Sequence, residues 1–140
     1  MSLFLLDTDT LTLLEQGHAL VLNNVNSHRV TDVSISAVSV QEQSEGFLAA
    51  VTRARDRKQT ASAYDMLVRR LLPVWCRFPV LSFTEAAILR FEHLRSLRLN
   101  VGSMDLRIGG IALESHLTVV TRNQRDFGRI PGLTTVDWSL

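Results

Sequence analysis

Short apolar runs alternate with longer segments of helical periodicity along the chain, and this alternation constrains the fold more than any other feature. Three runs predict buried strands, at residues 4–6, 33–37 and 117–121. Weaker strand signals lie at 80–83 and near Val136. Strands that alternate with helices are typical of an α/β fold with a mostly parallel sheet.

Helical spacing of apolar residues separates these strands. It predicts a first helix over 10–14, capped by Thr8 or Asp9, and a second that begins near Ser39. A third helix is predicted over 59–72 and is expected to end at Pro73. Two more are predicted to begin after a Thr84 cap and at Ser103. No Ser/Gly-rich linker interrupts the pattern. The 140 residues are therefore expected to form a single domain spanning 1–140.

Composition excludes several classes of protein. The lone cysteine, Cys76, rules out an intramolecular disulfide, which fits a reducing compartment. The amino-terminal apolar run lacks a basic region and ends at Asp7, unlike a signal peptide. No apolar stretch approaches the roughly 18–20 residues of a membrane span. We therefore expect a soluble, cytoplasmic protein without a membrane partner.

Four acidic residues fall where strands are predicted to end or helices to begin. Asp7 closes the first strand, Asp126 follows the 117–121 strand, and Glu42 and Asp105 lie in predicted first helical turns. The carboxyl ends of parallel strands share one edge of the sheet, so these side chains are expected to converge. For Glu42 or Asp105 taken alone, a favourable interaction with the helix dipole would explain an acidic residue in the first turn. It does not explain Asp7, because a carboxylate beside a buried strand is costly to desolvate.

Converging carboxylates repel one another unless a cation lies among them. Hard oxygen ligands suit Mg²⁺ or Mn²⁺. Two such ions can activate water and stabilise the attacking and leaving oxygens of a phosphodiester. The acidic set therefore predicts metal-assisted phosphodiester hydrolysis, with 5′-phosphate and 3′-hydroxyl products.

Four segments carry a resemblance to a known family. They are Leu-Leu-Asp-Thr-Asp at 5–9, the strand and helix start at 35–42 followed by Gly46, the segment 101–112, and Thr-Arg-Asn-Gln-Arg-Asp-Phe at 121–127, closed by Ile-Pro-Gly-Leu at 130–133. In this order they resemble the PIN-domain ribonucleases, in particular the VapC-like toxins of bacterial toxin–antitoxin modules. The stretches 17–32 and 49–78 carry no such motif.

The resemblance implies a PIN-like, three-layer α/β/α fold and an Mg²⁺- or Mn²⁺-dependent endoribonuclease. Transfer RNA is a candidate substrate, and a homodimer neutralised by a cognate antitoxin protein is the expected assembly. The implied catalytic and metal-binding residues are Asp7, Glu42, Asp105 and Asp126. The implied supporting residues are Asp9, Thr121 and Asn123. Nearby arginines are candidates for RNA phosphate binding: Arg122, Arg125 and Arg129.

The chain departs from the family pattern in two places. Gln43 stands where an apolar residue is more common after the glutamate. Arg107, Gly109 and Gly110 stand where leucine and alanines are common, and two glycines inside a helix cost about 1 kcal/mol each relative to alanine. The glycines suggest close helix packing, with a dimer interface as one candidate location.

Other functions fit the sequence less well. Asp-Thr-Asp-Thr at 7–10 is also similar to the start of a haloacid-dehalogenase phosphatase, but such a phosphatase or a phospho-acceptor receiver domain needs a lysine at its site. The chain's single lysine, Lys58, lies in a polar run. The four histidines show no zinc-ligand spacing: His18, His28, His93 and His116. A catalytically silent PIN-like protein that binds RNA or a partner is the non-enzymatic alternative.

Overall fold

A computed structural model describes residues 2–140 and contains a five-stranded sheet in which every strand pair is parallel. The spatial order is β3-β2-β1-β4-β5. The strands are β1 (Phe4–Leu6), β2 (Val33–Ser36), β3 (Val80–Leu81), β4 (Thr118–Val120) and β5 (Thr135–Val136). The predicted α/β class is confirmed, and β1 lies at the centre of the sheet.

Helices cover both faces of the sheet and make the fold three-layered. They are α1 (Thr8–Glu15), α2 (Ala19–Asn26), α3 (Ala37–Arg53), α4 (Arg57–Met66), α5 (Leu72–Trp75), α6 (Glu85–Ser96), α7 (Ser103–Ser115) and α8 (Gln124–Phe127). A 3₁₀ turn (Val30–Asp32) precedes β2. Within residues 2–140, no helix is long and apolar enough to span a membrane.

Alternation along the strands divides the core in two. In β1, Leu5 packs with one hydrophobic cluster, which includes Phe91 and Ile111, and Leu6 packs with the other, which includes Leu11 and Val21. Both leucines are fully buried. Successive side chains of a strand point to opposite faces, so helices on both sides of the sheet are needed to bury them.

Two helices begin earlier than their predicted starts. Asp7, rather than Thr8 or Asp9, caps α1, because its Oδ1 accepts the Thr10 backbone N–H at 2.8 Å. Ser36 caps α3, which therefore starts at Ala37. The earlier start places Glu42 in the second turn of α3, beyond the strongest influence of the helix dipole.

The predicted 59–72 helix is not regular. It consists of α4, a π-helical turn (Leu67–Leu71) and α5. Pro73 does not terminate this segment but occupies the first turn of α5, directly after the π turn. The wider π turn carries Arg69 and Arg70.

The two glycines of α7 allow close packing inside the protomer. A Cβ atom on Gly110 would lie 2.9 Å from the Ala87 carbonyl oxygen, and one on Gly109 would lie 2.8 Å from Cδ1 of Ile130. Both positions are buried. The close packing that these glycines predicted is therefore between α7, α6 and Ile130, and it does not involve a second copy of the chain.

Candidate active site

The four predicted carboxylates gather at the carboxyl edge of the sheet. Asp7 follows β1, Glu42 lies on the helix after β2, Asp105 in the first turn of α7, and Asp126 on α8 after β4. Burial raises the pKa of Asp105 to about 6, and the charges of three further acids act in the same direction: Asp7, Glu42 and Asp126. The four side chains therefore form one electrostatic cluster, which we call the acid cluster.

Asp7 is the most deeply buried member of the cluster, with 4% of its surface exposed. Burial raises the pKa of Asp7, while hydrogen bonds from Thr121 and Thr10 favour the charged form. Its backbone N–H donates to the Val120 carbonyl oxygen at 3.1 Å, which ties the end of β1 to β4. Cap and strand together fix the position of this carboxylate.

Glu42 is oriented by hydroxyl groups. The Thr8 hydroxyl donates to Oε1 of Glu42 at 2.6 Å and lies 2.9 Å from the Ser39 hydroxyl. Since Thr8 uses its single proton toward Glu42, Ser39 is the donor in the second contact. Thr8 and Ser39 were not among the predicted site residues. Their positions, next to Asp7 and one helical turn before Glu42, are the signal that points to them.

Asp126 is held by reciprocal bonds with Asn123. Asn123 Nδ2 donates to Oδ2 of Asp126 at 3.0 Å, and its Oδ1 accepts the Asp126 backbone N–H at 3.3 Å. The buried Thr121 hydroxyl accepts the Asn123 backbone N–H at 2.9 Å. Asn123 thus holds Asp126 from two sides, and the Thr121 hydroxyl contacts both Asn123 and Asp7.

Two of the three arginines predicted to bind phosphate pair with acids at this edge. Arg122 makes a two-pronged contact with Asp9, at 2.8 and 3.1 Å. Arg129 lies 3.6 Å from Oδ1 of Asp126 and donates to the Asn100 carbonyl oxygen. Arg125 is exposed on α8. Asp9 thus faces Arg122, and the predicted RNA contacts of the arginines stay predictions.

Several known proteins are similar to this chain in sequence or in fold. Ribonuclease VapC2 from Rickettsia felis is 26% identical over 110 residues, which cover 76% of this chain and 74% of that protein. No protein-family model matches the sequence. DNA-bound VapBC from Salmonella typhimurium superposes with a TM-score of 0.78 at 24% identity over 99% of both chains. A toxin–antitoxin complex from Klebsiella pneumoniae gives 0.66 at 21% over 96% of both.

The fold is PIN-like. The predicted three-layer α/β/α architecture and the predicted resemblance to VapC proteins are both confirmed.

The donor chemistry of the acid cluster suits a hard divalent cation, although its side chains do not converge on one point. Within residues 2–140, no group of three or more acidic, histidine or cysteine side chains is arranged to hold a metal ion. Charges act over several ångströms, whereas Mg²⁺ needs oxygens at about 2.0–2.1 Å. Hydrogen bonds from Thr8, Thr10 and Asn123 each engage one oxygen of a carboxylate, and these oxygens are Glu42 Oε1, Asp7 Oδ1 and Asp126 Oδ2.

A second polar network lies beside the acid cluster and was not foreseen. Gln43, the departure from the family pattern, donates to Oε1 of Glu15 at 2.7 Å and accepts from Trp75 Nε1 at 2.6 Å. Burial raises the pKa of Glu15 to about 7. Gln43 is itself buried. A sequence pattern gives no signal for this network, because its members come from three helices far apart in the chain.

Proposed function

We propose that this protein is an endoribonuclease that depends on Mg²⁺ or Mn²⁺ and hydrolyses RNA phosphodiester bonds. The observation that carries the proposal is the placement of four carboxylates from separate segments at the carboxyl edge of the sheet. The raised pKa of Asp105 agrees with it, because the charges of the other three acids add to the effect of burial. A cluster of like charges without a compensating cation is unfavourable, so bound metal would relieve it. The name of the Rickettsia relative supports the same activity.

Asp7, Glu42, Asp105 and Asp126 are the residues that would hold the metal. When bound, the ion would supply electrostatic stabilisation and activate water at the phosphodiester. Thr8 orients Glu42 and Asn123 orients Asp126, so both carboxylates are positioned before substrate arrives. Arg122, at the end of β4, offers guanidinium donors to a phosphate beside the cluster.

Cleavage of bulk RNA by the purified protein tests the proposal. We expect discrete fragments in Mg²⁺ or Mn²⁺, none in EDTA, and none from an Asp7→Asn variant. The fragments should carry 5′-phosphate and 3′-hydroxyl ends, and a transfer RNA pool should be included among the substrates. Ends with 2′,3′-cyclic phosphate would contradict metal-assisted hydrolysis.

The arrangement of the side chains favours one other candidate, a catalytically silent PIN-like RNA-binding protein. In the part of the chain that the structure describes, no three acidic side chains converge as a metal site requires. Such a protein would bind RNA in EDTA and in Mg²⁺ alike and would cut it in neither. A folded, inhibitor-free sample that behaves in this way would replace the nuclease assignment.

We also propose that the protein is the toxin of a toxin–antitoxin module and forms a homodimer. The complexes from Salmonella typhimurium and Klebsiella pneumoniae, which share this fold, support an antitoxin partner. A short reading frame adjoining the gene, whose product copurifies with this chain and abolishes RNA cleavage, is the expected result. Light scattering of the purified chain tests the homodimer.

A further inference from the structure

A groove leads away from the acid cluster between α3 and the π turn. Its first part has a volume of about 450 Å³, begins at Glu42 and runs past Phe47 and Met66 to Arg70. An adjoining cavity of about 480 Å³ shares Met66 and Arg70 and continues to Lys58. We call these two cavities the α3–α4 groove. A further cavity, of about 460 Å³ against α6, contains none of the four acids.

The walls of the α3–α4 groove suit flat, unpaired bases. Phe47 and Met66, both partly exposed, supply apolar surface close to the acid cluster. Phe47 is partly exposed, and its ring meets that of Tyr64 edge to face at 5.6 Å. Aromatic and apolar side chains that flank a basic channel are typical of single-stranded nucleic-acid sites, because every base has a face that can stack.

The charges along the groove favour an anion over a basic peptide. Arg70 and Lys58 are both exposed, and both line it. The other acid lining this first part of the groove is Glu15; burial raises its pKa to about 7, while the positive charge of Arg70 acts in the opposite direction, so Arg70 offsets the negative charge of Glu15 inside the groove. Asp56, at the far end, is engaged as the cap of α4. A cationic side chain entering the groove would meet Arg70.

We propose that the α3–α4 groove holds the single-stranded RNA on one side of the cut bond, with Arg70 and Lys58 against its phosphates. The proposal rests on the proposed ribonuclease function. It adds the path of the substrate and a preference for unpaired RNA next to the cut. Neither the sequence motifs nor the predicted arginines of the Asp126 loop pointed to this path.

The first test compares neighbouring arginines of the π turn. Arg69 is largely exposed and has one long ion pair, to Asp65 at 3.8 Å, and within the described residues it does not line the groove. Binding of a twelve-nucleotide single-stranded RNA is measured in EDTA over a range of salt. Arg70→Gln should weaken binding severalfold and reduce the salt slope by about 0.7, the value for one phosphate contact on a single strand. Arg69→Gln should change binding less than twofold.

The second test uses the fact that Lys58 is the only lysine of the chain. Synthetic RNAs of increasing length, oxidised by periodate to a 3′-terminal dialdehyde, are bound to the full chain in EDTA and fixed by borohydride reduction. Crosslinks should form at Lys58 once the RNA is long enough for its 3′ end to reach that residue. If the strand lies in the groove with the opposite polarity, a matching series with a 5′-terminal aldehyde should form them instead. Lys58→Arg should remove these crosslinks, because a guanidinium forms no reducible adduct with the aldehyde, whereas Arg69→Gln, outside the groove, should leave them in place.

The outcomes separate this proposal from the ribonuclease proposal. Crosslinking at Lys58 without any cleavage would support the groove and contradict the nuclease. Two results would overturn the groove proposal even if the protein cleaves RNA. One is equal weakening of RNA binding by the Arg69 and Arg70 variants, and the other is crosslinking at the amino terminus alone in both RNA series. Loss of antitoxin binding in Arg70→Gln with RNA binding unchanged would also overturn it and identify the occupant as a peptide.

Discussion

The acid cluster is built at the ends of strands, whereas the α3–α4 groove beside it is built from helices. In the cluster, each of three carboxylates accepts a hydrogen bond from a neighbouring residue: Thr10 to Asp7, Thr8 to Glu42 and Asn123 to Asp126. In the groove, Met66 and Arg70 are long side chains on or beside a π turn. Both regions meet at Glu42.

This difference separates two kinds of requirement. Chemistry needs side chains held within fractions of an ångström, and strand ends with capped helices provide this. Substrate choice tolerates flexible contacts, and a helical surface can change without disturbing the sheet. Changes in the cluster should therefore alter catalysis with little loss of stability, while changes in the groove should alter affinity.

The largest expected effect comes from Asp105→Asn. Burial and three acids raise the pKa of Asp105 to about 6, so its ionisation destabilises the metal-free protein. Stability conferred by the protonated carboxyl is present below its unfolded pKa and is lost as pH rises through about 6. The variant should therefore be more stable than wild type by about 1–2 kcal/mol at pH 8 in EDTA, less than the full pKa shift would give, because solvent screens the partly exposed carboxyl. Its RNA cleavage should fall more than about 100-fold, since metal-assisted stabilisation is worth several kcal/mol.

Thermal unfolding in EDTA and cleavage rates in Mg²⁺ check this prediction, with the exposed Asp65→Asn as control. Loss of cleavage together with loss of stability would contradict the account, because it would make Asp105 a structural residue. Retained cleavage would remove Asp105 from the active site.

A smaller effect is expected from filling the space beside Gly110, since α7 carries Asp105 toward the cluster. Gly110→Ala would place a Cβ 2.9 Å from the Ala87 carbonyl oxygen and 3.2 Å from the Phe91 backbone nitrogen. Overpacking of this kind costs about 1–3 kcal/mol. Gly46→Ala, on α3 beside the groove, meets no atom within 4 Å and should instead stabilise by up to about 1 kcal/mol. Chemical denaturation measures both, and equal stability of the two variants would contradict close packing of α6 on α7.

Glu15→Gln should change stability in a pH-dependent way. Burial raises the pKa of Glu15 from 4.5 to about 7, so the folded protein binds its proton more tightly than the unfolded chain does. Wild-type stability should fall between pH 4.5 and 7, and this part of the fall should be absent in the variant. At pH 8 the variant should be more stable than wild type, because it carries no buried charge. The gain should be only about 1 kcal/mol, because solvent screens the partly exposed side chain. Glu45→Gln, an exposed residue, is the control, and parallel pH profiles would contradict the burial of Glu15.

The strands, the parallel sheet and the placement of four acids at one edge of it could be predicted from the sequence, because these features are local or follow from topology. Phe4–Leu6 and Asp7 are adjacent in sequence, and a parallel sheet brings strand ends together whatever the loops do. The π turn was missed because periodicity does not distinguish it from α-helix. The contact of Gln43 with Trp75 and Glu15 was missed because it depends on how three helices pack.

The smallest effect concerns the Arg122–Asp9 pair and decides which region holds phosphates more strongly. The pair is half exposed, so solvent screening leaves it little influence on stability. Arg122→Gln should weaken RNA binding in EDTA by about threefold, as expected for one lost phosphate contact at moderate salt. Asp9→Asn should strengthen it slightly, because RNA then no longer competes with a carboxylate for the guanidinium. Equal weakening by both variants would instead make Asp9 a residue that positions Arg122. If Arg122→Gln weakens binding more than Arg70→Gln does, the sheet edge rather than the groove dominates RNA affinity.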